Sequence, residues 1–351
     1  MRLIKILLCI VTLLCSCGKE NEPAVITGAL SNGALVLCEG LFQQNNSQIS
    51  FISFENKQVE NNFFLNRNDR QLGDTGNDLK RYGDKIYIVV NVSSTIEVID
   101  ANTFESIKQI SMMNGTTAKQ PRSILFHEGL AYVTCFDGYV DIIDTTALII
   151  NDRIKVGSNP EDMAIVNNKL YVTNSGGLNT PLMDSTVSVI DLNTHQEIEK
   201  IIVGMNPGTI KADQDGDIYV VTRGNYSNIP SRMKRINSET DNVEETFNFD
   251  ISGITRFNDD FLVTYYDFSS AQNNVALFST TNETIEITEF MPLNEIQTLY
   301  GLTYNPSKNK IFISDAMGYT NTGYIREYDV QGNHIHSYHV GLNPSKILFY
   351  E

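Results

Sequence analysis

Between residues 170 and 203 the apolar positions come in short bursts. LYVTN and STVSVID are rich in β-branched residues and bounded by turn formers, which marks strands. Nothing from Leu170 to Ile210 reads as a helix. The stretch predicts strand, long loop, strand, tight turn and strand, followed by the bend Gly204-Met205-Asn206-Pro207.

This unit recurs. With the last residue of the third strand as anchor, VID ends at Asp100, IID at Asp144, VID at Asp191 and RIN at Asn237; weaker copies end at Ser53, Ser279 and Asp329. The spacings run from 42 to 50 residues. Upstream of each anchor lies a second-strand copy: ALVLC, IYIVV, AYVTC, LYVTN, IYVVT, FLVTY and IFISD. Further upstream comes a first strand, opened by proline at Pro121, Pro160 and Pro207. Seven four-stranded units of this length predict an all-β fold, a seven-bladed β-propeller. The last residues, VGLNPSKILFYE, repeat the bend and first strand without a second strand, whereas the chain from Ala34 begins at a second strand. The final strand is therefore expected to complete the first blade and cover two sheet edges. The propeller is placed at residues 33–351.

In such a meander the second-to-third-strand loops and the connections between blades share one face. Five of these loops are long: EGLFQQNNS, SGGLNTPLMDS, RGNYSNIPS, YDFSSAQN and AMGYTNTG in blades 1, 4, 5, 6 and 7. Loops on a rigid ring are where binding residues collect. Their chemistry is amide hydrogen bonding beside aromatic rings. The candidates are Phe42, Gln43, Gln44, Arg223, Asn225, Tyr226, Tyr266, Asp267, Phe268, Met317, Tyr319 and Asn321. The blade connections add Arg70, Gln120, Arg122, Asn159, Asn206, Tyr300 and Asn343. The competing reading is that the asparagines serve turns and the rings wedge between blades.

The N-terminus changes the cellular picture. Arg2 and Lys5 precede an apolar run over residues 6–14, too short to cross a bilayer and suited to a signal peptide, placed at 1–16. Leu14-Cys15-Ser16-Cys17-Gly18 resembles the bacterial lipoprotein box, which implies cleavage before Cys17 and acylation there. Residues 17–32 then form a tether, and Gly-Lys-Glu-Asn-Glu resembles the acidic tag of outer-surface lipoproteins. Lipid at Cys17 implies an outer-membrane anchor facing the exterior. The formal charge of −16 becomes two units more negative once Arg2 and Lys5 leave. Such a field disfavours nucleic acid as a partner. Of five cysteines only Cys38 and Cys135 then remain, in non-neighbouring blades, and they read as buried thiols.

Other chemistry is thin. His334, His336 and His339 have a metal-like spacing on an exposed outer strand, with no obvious further ligand. Asp213-Gln-Asp215-Gly216-Asp217 lacks the distal Glu of a calcium loop and sits where a hairpin turn belongs. Zinc-protease, phosphate-loop, hydrolase and dinucleotide motifs are missing. Asp267, Asp315 and Arg223 are the titratable groups nearest the expected channel mouth, so catalysis is disfavoured and no cofactor is expected.

The repeated Val-Gly-x-Asn-Pro, Leu-Tyr-Val-Thr-Asn and Thr-Val-Ser-Val-Ile-Asp-x-x-Thr resemble the YncE-type seven-bladed propellers over the whole mature chain. The lipobox, Thr173-Asn174-Ser175-Gly176-Gly177-Leu178-Asn179 and Thr222-Arg223-Gly224-Asn225-Tyr226 resemble surface lipoproteins of the BtuG type. That resemblance implies a propeller that captures cobalamin on its loop face and hands it to a TonB-dependent outer-membrane transporter. A surface protein for a glycan or another nutrient, or a protein-binding scaffold, is the alternative.

Overall fold

The structure, a computed structural model, describes residues 30–267, 269–270 and 272–350. Cys17, the leader, most of the tether and Phe268 lie outside the described residues. Seven four-stranded antiparallel sheets form the blades. The inner strands of blades 2 to 7 are Gly76–Tyr82, Pro121–His127, Pro160–Val166, Pro207–Ala212, Gly253–Phe257 and Leu299–Asn305. Pro344–Tyr350 is the inner strand of blade 1 and pairs with Gly33–Cys38, with Val36 opposite Ile347. Each inner strand touches that of the next blade, and the last returns to the first, which closes the ring.

The second strands carry the core. Gly33–Cys38 is buried throughout, and Lys85–Val90 is buried at every position after Lys85. Successive side chains leave opposite faces of a strand. Leu35 and Leu37 therefore pack with Ile86 and Ile88 of blade 2, while Val36 and Cys38 pack with Phe312 and Ile325 of blade 7. A strand sandwiched between two blades is apolar on both faces, which is why these segments read as continuous hydrophobic runs.

A tyrosine in the second strand staples each of several blades to its neighbour. Tyr87 Oη donates to Thr145 O, Tyr132 Oη meets His195 Nε2, and Tyr171 Oη donates to Asp241 Oδ1 at 2.5 Å. The targets all lie in the outer turn of the following blade. The Asp and Asn anchors end their third strands and hold the turns that follow: Asp191 Oδ1 accepts from the backbone N–H groups of Asn193 and Thr194. Asp100, Asp144, Asn237 and Asp329 repeat the arrangement with their own turns.

Three features differ from the strand pattern. A short helix, Phe63–Asn68, and a small hairpin, Met113–Asn114 with Thr117–Ala118, lie in the connections before blades 2 and 3. Phe63 of the helix stacks on Phe51, so burial of aromatic area sets its place rather than any helical period. In blade 6 the strands run on to Asp267 and resume at Gln272, so Tyr266 stands in a strand, paired with Asn273, and not in a long loop. Cys38 and Cys135 are buried and free. Among the described residues no helix is long and apolar enough to cross a membrane.

Candidate functional site

The loop-face end of the central channel is a cavity of about 210 Å³ lined by Glu39, Asn77, Arg122, Glu161, Arg223 and Tyr300, among others. Two further channel cavities, of about 570 and 440 Å³, share Asp162 and Lys346 with it. A repeated irregularity builds this mouth. In blades 3, 4 and 5 the pairing of inner and second strands slips just after the proline, between Pro121 and Ile124, Pro160 and Met163, and Pro207 and Ile210. Blades 2, 7 and 1 slip at Asn77, Tyr300 and Ser345. Bulges re-aim side chains, and here they turn polar residues into the channel. Threonines of the second strand satisfy the freed amides: Thr134 Oγ1 accepts from the Ser123 N–H and Thr173 Oγ1 from the Asp162 N–H, both at 3.0 Å.

The side chains at the mouth form an ionic network. Arg122 donates through Nε and Nη2 to Glu161 Oε2 at 3.2 and 2.9 Å, and through Nη1 to Asn77 Oδ1 at 2.7 Å. Its guanidinium also lies 4.7 Å from the Phe136 ring centre. Arg223 Nη1 comes within 3.5 Å of Glu161 Oε1. It lies flat on Gly208, where a methyl group would overlap the guanidinium. Tyr300 Oη donates to Glu39 Oε2 at 2.6 Å. Burial pushes the Glu39 carboxyl up, with Tyr300 and Arg122 opposing. Deeper in, Lys80 pairs with Asp78 at 3.3 Å and Lys211 with Asp162 at 2.9 Å. Asp162 is walled in by the ring yet keeps 25% of its side chain open to the channel. Burial alone would raise it, but Lys211, Lys80 and Lys346 hold it well below the usual carboxylate range. Asp78 is likewise lowered, with Lys80 and Lys346 outweighing burial.

The predicted residues fall into separate groups. Arg122, Arg223 and Tyr300 meet at the mouth. Phe42, Tyr226 and Tyr319 protrude from the loop tips, 66%, 73% and 54% exposed, and Tyr319 stands edge-on to Tyr300. Gln43 and Gln44 are exposed beside Phe42, their backbone N–H groups held by Asp74 and Leu41. Most of the amides serve the backbone. Asn159, Asn206 and Asn343 adopt φ of 45°, 59° and 53°, the left-handed region that asparagine tolerates. Asn159 and Asn343 donate to the carbonyls of Phe136 and Gly40, and Asn206 to Tyr226 Oη. Gln120 is also left-handed, with its N–H on Ser94 Oγ. Asn225 accepts from Ser227 and Ile229 within its own loop, and Asn321 donates to Met317 O. Arg70 pairs with buried Glu97 at 2.7 Å and lies over Phe64, so it braces blade 2. Asp267 accepts from Ser269 and Ser270, which hold its carboxyl low. Asp315 is tied to Arg326 at 2.9 Å and to three loop N–H groups.

The rim thus offers ions at its centre rather than the neutral amides expected there. Glu39, Asn77, Glu161 and Lys346 were missed. For Asn77, Glu161 and Lys346 the signal is the polar pair after the inner-strand proline or glycine in four blades, Asn77-Asp78, Arg122-Ser123, Glu161-Asp162 and Ser345-Lys346, whereas Glu39 opens the first long loop. Amides also gather elsewhere on this face, where Asn274 Nδ2 donates to the Gln272 carbonyl at 3.4 Å. A groove of about 550 Å³ between blades 6 and 7 is lined by Gln272, Asn273, Asn274, Asn294 and Gln297, with Tyr265, Met291, Leu293 and Ile296 as its apolar wall. His334 and His339 bond to Ser337 and Thr322, and no cluster of three metal-binding side chains occurs among the described residues. Asp213 to Asp217 closes the blade 5 hairpin.

A family model described as a domain of unknown function, DUF5074, matches residues 32–349. No curated protein matches the chain. Among solved structures, a quinonprotein alcohol dehydrogenase-like protein from Bacteroides thetaiotaomicron is 15% identical. It covers 92% of this chain and 79% of its own, with a TM-score of 0.66. The Kuenenia stuttgartiensis hydrazine synthase is 16% identical, covers 75% and 85%, and has a TM-score of 0.61. A dihydro-heme d1 dehydrogenase is 10% identical, covers 93% and 77%, and has a TM-score of 0.59. At these identities the likeness is one of propeller fold.

Proposed function

Starting from the premise that the chain belongs to the DUF5074 family, we propose that it is a surface lipoprotein that captures a corrinoid, cobalamin above all. In this reading it takes the ligand on its loop face and passes it to a TonB-dependent outer-membrane transporter. The observation that carries the reading is the groove between blades 6 and 7, lined by five amide residues with Asp267, Glu289 and an apolar wall. A corrinoid is a broad disc fringed with amides. Gln272, Asn273, Asn274, Asn294 and Gln297 can both donate to and accept from such a fringe, while Tyr265 and Leu293 pack on its apolar edge. A groove mounted on a closed ring lowers the ordering cost of binding.

The partner is suggested by the loop tips. Phe42, Leu178, Leu182, Tyr226 and Tyr319 expose apolar area on the loops of blades 1, 4, 5 and 7, and a partner seated on the loop face would cover them. In this reading Cys17 carries the lipid, the propeller stands outside the outer membrane, and the protein binds without catalysing. Calorimetric titration of the purified chain with cyanocobalamin tests the proposal. Saturable binding is expected, weakened about tenfold by loss of one well-made amide pair in Asn274→Ala, a change of about 1.4 kcal/mol. No saturable heat at micromolar ligand sinks it.

A further inference from the structure

We propose that the central channel is a second ligand site, built for a small oxyanion, with Lys346 and Arg223 as its principal cations. The site is distinct from the groove between blades 6 and 7 and stands whether or not that groove takes a corrinoid.

Seven cationic side chains line the three cavities: Lys80, Arg81, Arg122, Lys211, Arg223, Arg256 and Lys346. Five are committed. Arg81 is held by the Gly83 carbonyl and Arg256 by the Asn258 and Ala212 carbonyls. Arg122 is held by Glu161 and Asn77, Lys80 by Asp78 and the Ile124 carbonyl, and Lys211 by Asp162 and the Ile210 carbonyl. The other two are not. Lys346 borders all three channel cavities, yet no carboxylate lies within 4 Å of its ammonium among the described residues. Arg223 makes no side-chain hydrogen bond among the described residues, and its 3.5 Å approach to Glu161 uses a carboxylate already held twice by Arg122. Two cations thus stand at the mouth with donors to spare.

The surroundings favour an anion over water. Lys80, Lys211 and Lys346 lower the Asp78 and Asp162 carboxyls against the effect of burial, so cationic side chains crowd both acids along the channel. Glu39, which lines the mouth with Glu161, is hydrogen-bonded by Tyr300; burial raises its carboxyl, with Tyr300 and Arg122 opposing. The local excess of cation occurs inside a chain of net charge −16. It is therefore a property of the pocket and not of the whole molecule. Gly208 is what lets Arg223 lie across the inner strand. Hydrogen bonds from charged donors are about twice as strong as neutral ones, more so away from bulk water. Glu161 already displays the binding mode, since a guanidinium grips its carboxylate by two N–H groups. The mouth, at about 210 Å³, suits a small carboxylic acid or inorganic phosphate and excludes a corrinoid.

Calorimetry on the purified full chain, with inorganic phosphate and succinate as probes and acetamide as neutral control, tests the site. Saturable binding of at least one oxyanion is expected, tighter at low ionic strength, with no binding of acetamide. Which oxyanion binds more tightly identifies its source chemistry. Lys346→Ala and Arg223→Ala should each weaken binding about tenfold or more. Lys346 is exposed and makes no short ion pair among the described residues, but its charge helps lower Asp78 and Asp162. Lys346→Ala should therefore melt somewhat below the parent at neutral pH while its cyanocobalamin titration stays unchanged. Failure of both oxyanions to bind overturns the inference, as does equal binding by the parent and both variants. Loss of corrinoid binding alone overturns only the groove reading.

Discussion

At Tyr171 and Tyr219 the same residue in the same strand position meets two fates. Tyr171 reaches Asp241 and Ser238 of the next blade. Tyr219 packs on Phe247, Phe261 and Phe278, but its buried hydroxyl has no partner among the described residues. A buried hydrogen bond to a charged acceptor is worth more than its net exchange with water, while an unpaired buried hydroxyl costs stability. Tyr171→Phe is expected to destabilise the fold by about 1–3 kcal/mol, and Tyr219→Phe to be neutral or stabilising within about 0.5 kcal/mol. Urea unfolding of the two variants side by side checks this; equal losses would contradict the staple. The asparagines carry the same lesson. Asn159, Asn206 and Asn343 were read as rim amides, but their left-handed φ shows that turn geometry claimed them first. Residue type alone could not separate the two roles, because the same short amide suits both.

Among elements, the outer turns show how much a repeat can reveal. The anchor aspartates align because each carboxylate caps its turn by accepting backbone N–H bonds, which are an end in themselves and need no distant partner. The amides of Thr103, Ala147 and Thr194 foremost hold Asp100, Asp144 and Asp191 below the ordinary aspartate range, and the side chain of Asn333 holds Asp329 there. A carboxyl that binds its proton less tightly when folded stabilises the fold fully above its unfolded pKa of about 3.9 and loses that contribution as pH falls through the lowered folded value. Melting temperature should therefore hold steady from about pH 7 to 5 and drop below about pH 4, with a shallower drop in Asp191→Asn. An unchanged acid limb in that variant would argue against the caps. The bulges at the channel mouth were equally repetitive but harder to read. A polar pair after proline looks like the end of a strand until the register shows that pairing resumes beyond it.

For the whole molecule, the lipid anchor proposed at Cys17 would set where everything else acts. Replacing Cys17 by Ala is expected to remove a lipid-sized mass from the mature chain and to move it from the membrane to the soluble fraction. Mass spectrometry and fractionation check this, and a variant that stays membrane-bound would redirect attention to another tether. Ring closure is what turns separate blades into one face. The strand Pro344–Tyr350 borders Gly33–Cys38, so Glu39 and Tyr300, 261 residues apart, become hydrogen-bonded neighbours.

The chain by itself determined the blade count, the strand order and the outer turns, because these follow from local periodicity and from caps that each unit makes within itself. It also pointed to the loop face, since most of the second-to-third-strand loops are long. Only the tertiary structure decided the chemistry of that face. Which cation stands beside which carboxylate depends on closing the ring, and whether an asparagine points outward or into its own turn depends on a backbone angle that spacing does not encode. The ionic mouth is assembled from side chains of several blades and the amide groove from blade 6 and the connection after it, and no repeat within one blade carries that information.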